Sequence, residues 1–168
     1  MKRQVQTSPF NVRCYINPDW REVGLARVAV ARQNGKKVEA AIFLVDIFCL
    51  GVKDVMGDPP FRSMAEFNTM LSMVYIDIEP EVISFDTARS IVFGAVEYAK
   101  SLGFEPHPDF KKEKHLLGGE MREKSDIQFG GPDGRPLYMM GPYDQADEIV
   151  QTLEMRLGKD GFTVVRPE

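Results

Sequence analysis

Two stretches of the chain concentrate side chains with chemical capacity. The first runs Leu44-Val45-Asp46-Ile47-Phe48-Cys49-Leu50-Gly51-Val52-Lys53-Asp54. The second runs Gly103-Phe104-Glu105-Pro106-His107-Pro108-Asp109-Phe110, with His107 held between two prolines. Asp46, Asp54, His107 and Asp109 are of the types that hold a hard divalent cation and activate water, for example to hydrolyse a phosphate ester or nucleic acid. A divalent metal is the only cofactor these residues bring into view. Cys49 with His107 has the composition of a nucleophile and its base. Cys49 sits among apolar neighbours, however, and no glycine precedes it to form a nucleophile elbow. An inert core thiol is the plainer reading. Cys14, Cys49, His107 and His115 match no compact zinc-ligand spacing. The glycines at 118–119, 130–131 and 134 fit neither a P-loop nor a dinucleotide fingerprint.

Asp46 is the most informative of these residues. An ionised carboxylate in an apolar strand requires a cation, a metal or several hydrogen bonds. An arginine or backbone N–H groups would make Asp46 an anchor. A metal or substrate would make it functional. Aspartates commonly anchor loops at strand ends, so the structural role is the commoner one. For His107, the plain alternative is a stiff connector whose Phe104 and Phe110 plug into the core. If the helix before Gly103 packs on the strand carrying Asp46, the two stretches meet. Asp46, Cys49, Lys53, Asp54, His107 and Asp109 then form one polar cluster.

The elements that would position these residues follow from periodicity and turn chemistry. Val23–Gln33 and Val38–Cys49 flank Asn34-Gly35, which predicts a hairpin. In the return strand Ile42, Leu44, Asp46 and Phe48 share one face and Ala41, Phe43, Val45, Ile47 and Cys49 the other. Both faces are largely apolar, so the strand is expected to be covered on both sides, ending at Gly51. Ser63-Met64-Ala65-Glu66 is a capping box that opens a helix bearing Met64, Phe67, Leu71 and Val74. A second helix starts near Ser84 or Asp86 and ends at Gly103, with Gly94 inside it implying a close backbone neighbour. A second hairpin is expected over Ile127–Met140, turning at Pro132-Asp133-Gly134. A third helix, capped by Asp144 and closed by Gly158, precedes a strand at Phe162–Val165.

The resulting expectation is an α+β domain with a central antiparallel or mixed sheet, three main helices and the order ββααββαβ. The length of 168 residues fits one globular domain spanning 1–168, with residues 1–20 as a partly extended N-terminal arm. No apolar run is long enough for a membrane span, and no signal-like segment follows Met1-Lys2-Arg3. Only two cysteines, both in apolar surroundings, argue against a disulfide framework and make a reducing cytoplasm the expected setting. The net charge of −4 gives no broad nucleic-acid surface. Residues 1–37 are nevertheless basic, carrying Lys2, Arg3, Arg13, Arg21, Arg27 and Arg32 before Lys36-Lys37. That segment keeps nucleic-acid binding open, although no aromatic residues interleave with its charges as base stacking would require.

The blocks Leu44-Val45-Asp46 with Cys49-Leu50-Gly51-Val52-Lys53-Asp54, Gly103–Phe110, and Pro136-Leu137-Tyr138 with Gly141-Pro142-Tyr143-Asp144 resemble those of a bacterial family of uncharacterised proteins. The resemblance covers the chain from about Trp20 onward. It implies no activity, cofactor or partner. The nine methionines, Met139-Met140 among them, fit either core gap-filling or an adaptable binding face. The leading expectation is a non-enzymatic binding or regulatory module working through a protein partner or an oligomer interface. The alternative is a small metal-dependent hydrolase built on Asp46, Asp54, His107 and Asp109.

Overall fold

A computed structural model describes residues 11–57, 60–119 and 126–168. Its main layer is a five-stranded antiparallel sheet in the order β4-β3-β2-β1-β5. The strands are β1 (Val12–Ile16), β2 (Leu25–Asn34), β3 (Lys37–Asp46), β4 (Gly51–Gly57) and β5 (Glu81–Ile83). The helices are α1 (Trp20–Val23), α2 (Met64–Val74), α3 (Phe85–Ser101), α4 (Phe110–Glu113) and α5 (Ala146–Leu157). A 3-10 turn follows α4 over Lys114–Leu117. Two further strands, β6 (Leu137–Met139) and β7 (Thr163–Val165), pair in parallel beside the main sheet.

The α+β class and the three main helices agree with the sequence, and the expected order ββααββαβ is corrected. Val12–Ile16, expected in an extended arm, lies between β2 and β5 as an interior strand, and residues 1–10 fall outside the described residues. Gly51 begins a strand rather than closing one. The expected hairpin over 127–140 does not form. Gly130–Gly134 makes a turn, but β6 pairs with β7 instead of with residues before that turn. A parallel pairing across a helix carries no local turn signal, so sequence patterning cannot reveal it.

The β2–β3 hairpin closes on Gly35-Lys36, with Asn34 opposite Lys37 and Gly35 at φ +62°. Both faces of β3 are used. Ala41, Phe43 and Val45 point to a core shared with Ala88, Ile91, Val92 and Ala95 of α3. Ala40 and Ile42 point to a second core with Phe67 and Leu71 of α2. Ser63 caps α2 by accepting the Glu66 N–H at 3.2 Å, and the Glu66 carboxylate takes the N–H of Arg62 rather than of Ser63. Ser84 caps α3 by accepting the Thr87 N–H at 3.0 Å. Each cap contributes about 1 kcal/mol. Inside α3, Gly94 faces the ring of Phe129, since an added Cβ would lie 2.6 Å from it. The neighbour is therefore an aromatic side chain and not the backbone expected. Asp144 does not cap α5, whose first turn follows Gln145.

Between Leu44 and Val45 the β3–β4 register shifts. Leu44 pairs with Asp54 and Val45 with Val52, leaving Lys53 as the extra residue of a β-bulge. The bulge breaks the alternation, so Val52 and Val55 both face the α3 core. Asp54 and Met56 are turned to the α2 face beside Leu44 and Ile42.

Candidate functional site: a methionine-lined groove and the cluster at its end

The turn joining β3 to β4 explains Asp46. One carboxylate oxygen accepts the N–H groups of Phe48 at 2.9 Å and Cys49 at 3.2 Å, and the other accepts that of Leu50 at 3.1 Å. Only 3% of the residue is exposed. Burial raises its carboxyl above the ordinary range, against the three N–H donors and the charge of Lys53. The turn is a junction for the rest of the chain. The Ile47 N–H reaches Gly24, the Ile47 carbonyl accepts from Gly130, and the Phe48 carbonyl accepts from Leu137. Cys49 is fully buried with Leu102, Tyr138 and Leu153, and burial pushes its thiol far up, with the Asp46 charge adding to the effect. It has the environment of an inert core thiol.

The two polar stretches do meet, through backbone. The His107 N–H donates to the Val52 carbonyl at 3.0 Å. The His107 ring makes its contacts with Asp109 and Asp54. Its Nδ1 accepts the Asp109 N–H at 3.1 Å, and Nε2 lies 3.9 Å from an Asp54 oxygen. Asp109 in turn pairs with Lys112 at 3.3 Å. Phe110 enters the core edge-on to Phe43, with ring centroids 6.1 Å apart, and Phe104 packs beside Leu102 and Tyr138. Lys53, released by the bulge, pairs with Asp144 at 3.6 Å. Asp144 also accepts the Gly141 N–H and the Tyr138 hydroxyl, which fastens β6 to β4.

The expected six-residue cluster is therefore divided. Asp46 and Cys49 are interior, Lys53 belongs to the Asp144 contact, and Asp54, His107 and Asp109 share the surface. Among the described residues no group of three His, Cys, Asp or Glu side chains is placed to hold a metal ion. Cys14 lies in the α3 core, and its thiol is pushed up to about 12 by burial. His115 faces Glu39 at 3.5 Å.

Two concave regions stand out. A cleft of about 570 Å³ lies between Trp20-Arg21, Ile47-Phe48 and the turn around Gly131. The amides of Gly130 and Gly131 there already donate within the protein. It is bounded by Asp126, where the described residues resume. The second is a groove of about 430 Å³ on the α2 face. Ile42 and Leu44 form its floor, Met70, Met73 and Val74 of α2 one wall, and Met56 the other. Arg27 and Asp54 stand at one end. They flank Leu44 on its two neighbouring strands, since Arg27 pairs with Leu44 and Leu44 with Asp54. An apolar concavity with a few polar groups at one end is the usual form of a binding site. Asp54 thus belongs to the rim of this groove, and His107 Nε2 lies 3.9 Å from its carboxylate without lining the groove.

Sequence reasoning named Asp54 but missed Arg27, Met56 and Met73 as parts of the same surface. The signal for Met56 was the failed alternation at Val52–Val55, which announces the bulge. Comparison with protein-family models, curated proteins and solved structures gives no match. Among the described residues, no helix is long and apolar enough to cross a membrane.

Proposed function

We propose that this chain is a non-enzymatic binding module whose working surface is the methionine-lined groove between α2 and the β3–β4 pair, and that its occupant is a protein partner. One observation carries the reading. Met73 is 73% exposed and Met56 50% exposed on the two walls of a concavity floored by Ile42 and Leu44. Apolar side chains left open around a concave floor gain free energy when a partner covers them, about 25 cal/mol per Å². Methionine suits such a surface because its unbranched thioether adapts to different partner shapes. The buried, unpaired thiols of Cys14 and Cys49 support a cytoplasmic setting for the module.

The test is a photoreactive diazirine amino acid placed at position 73 in cells, with position 155 as control. Met155 is 82% exposed and lies on α5, outside the groove. The expected result is a cross-link from position 73 to another protein that position 155 does not give. Equal labelling from both positions would count against the reading.

A further inference from the structure

Trp20, the one tryptophan of the chain, is only 3% exposed. Among the described residues its indole N–H meets no acceptor, and no fully enclosed side-chain nitrogen or oxygen lacks a partner. The small open part of the ring therefore includes Nε1. Trp20 lines the cleft of about 570 Å³ together with Ile47, Phe48 and Phe129. We propose that this N–H opens into the cleft and holds a ring acceptor of a neutral, nucleobase-type heterocycle. The site shares no lining residue with the methionine groove and stands independently of it.

The fold fixes the donor in place. α1 is a single turn, closed by the Gly24 N–H on the Trp20 carbonyl at 3.0 Å. Gly24 is left-handed at φ +76°, and the Phe48 ring packs where a side chain at that position would stand. The Arg21 guanidinium lies over the Trp20 ring, 4.2 Å from its centroid. The indole is thus held by its faces and offers its edge. A donor fixed in advance is an orienting group for a small molecule in an otherwise apolar site.

The walls and the rim give the chemistry of the occupant. Tyr98 stacks on the Phe129 ring at 5.7 Å and 22°, and the half-buried Phe129 continues the wall of the cleft beside Phe48 and Ile47. Such walls favour a flat, largely apolar body. The charged side chains of the rim are Glu22 and Asp126 against Arg21, all exposed, and Arg21 is already set on Trp20. Two carboxylates against one guanidinium disfavour a phosphate or carboxylate ligand and favour one that donates N–H groups. A fatty acid brings the wrong charge and no such donor. An amino- or imino-substituted heteroaromatic ring brings acceptors for Nε1, N–H groups for the carboxylates and a flat body in one molecule. The volume falls within the about 300–1,000 Å³ usual for small-molecule sites. A base within a nucleic-acid strand carries phosphates that the rim opposes, so the free base or nucleoside is the form that fits.

Because Trp20 is the only tryptophan, nitrogen-15-labelled protein gives a single indole N–H resonance. The experiment follows that resonance as adenosine, guanosine, cytidine and uridine are added in turn, with their monophosphates and cyclohexanol as comparisons. At least one nucleoside should move the resonance downfield to saturation. Trp20→Phe removes the donor and keeps an aromatic ring, and should weaken that nucleoside roughly tenfold in calorimetry. Glu22→Gln combined with Asp126→Asn changes exposed positions only, so it reads the site whether or not Trp20→Phe folds well. It should weaken the same nucleoside roughly fivefold. No saturable shift with any nucleoside overturns the proposal. A monophosphate that binds more tightly than its nucleoside overturns it in favour of an anion site. Cyclohexanol producing the same saturable shift overturns it in favour of an unselective apolar cleft. Affinity unchanged in the Glu22→Gln, Asp126→Asn variant overturns the heterocycle's pairing with the rim. Each of these results leaves the groove reading standing, since none involves position 73.

Discussion

On the α3 side of the sheet, Val28, Val30, Phe43 and Val45 are all fully enclosed; on the α2 side, enclosure fails between Ile42, which is buried, and Leu44, which is not. Both sides are built from the same strands, so strand composition does not separate them. The difference is the cover. The α3 side receives α3, Phe110 of α4 and Leu116-Leu117 of the 3-10 turn. The other side receives α2 with Phe61 and Tyr75. A covered face collects its transfer free energy on folding, and an uncovered apolar face leaves that free energy to whatever covers it.

The largest test of this contrast is a pair of adjacent truncations. Phe43→Ala removes a ring packed against Phe110 and should cost about 4 kcal/mol in urea denaturation. Leu44→Ala, one residue on and facing the groove, should cost about 1 kcal/mol, since much of its transfer term is missing while that side stays open. A Leu44 cost approaching that of Phe43 would mean the groove is already closed in solution, and the contrast would fail.

The next effect is Asp46→Asn. The amide offers one acceptor oxygen where three N–H groups now converge, and its NH₂ opposes the Leu50 N–H or the Phe48 and Cys49 pair. A loss of about 2–3 kcal/mol is expected, read as a lowered thermal midpoint. A variant as stable as wild type would show that the turn does not depend on this acceptor.

Much of this was legible from residue types. Asn34-Gly35, Ser63, Ser84 and Gly103 each act locally: the hairpin turns one residue later than expected, on Gly35-Lys36, Ser63 and Ser84 cap their helices, and Gly103 takes the left-handed conformation. The burial of Asp46 followed from its apolar strand, and its need for partners from the cost of a lone charge. What escaped depends on distant parts of the chain. β1 is held by β2 and β5, and β6 by β7 across α5. Gly94 answers to Phe129, which lies outside its helix. The groove escaped for the same reason, because Arg27, Leu44 and Asp54 become neighbours only through strand pairing. His107 and Asp109 looked catalytic because prolines present them rigidly, yet that rigidity also seats Phe110 between Phe43 and Phe93.

Acid titration separates the two anchoring carboxylates, Asp144 and Asp46, by sign, with an effect smaller than either truncation. For Asp144, burial opposes ionisation, but the Gly141 N–H, the Tyr138 hydroxyl and Lys53 together hold its carboxyl below the ordinary range. It contributes stability above the unfolded value, and that contribution is lost as pH falls through the folded value. The Asp46 carboxyl is raised, so its contribution is present below the unfolded value and declines as pH rises through the folded one. Asp144→Asn should therefore flatten the acid limb of a stability–pH curve measured by urea unfolding, and Asp46→Asn should steepen it. Parallel responses in the two variants would remove the distinction between the paired and the buried carboxylate.

The smallest expected effect is the sharpest discriminator. Met73 loses little surface on folding, so Met73→Glu should change stability by no more than about 0.5 kcal/mol. If the groove serves only as a loosely packed margin of the α2 core, the charge must intrude on Phe67 and Leu71, and the melting temperature will fall. If the groove is a surface completed by another molecule, the melting temperature stays and a cross-link from a diazirine placed at position 56, on the opposite wall, disappears. The two readings demand opposite responses from one side chain, because a glutamate tolerated in water at position 73 is not tolerated under an apolar partner.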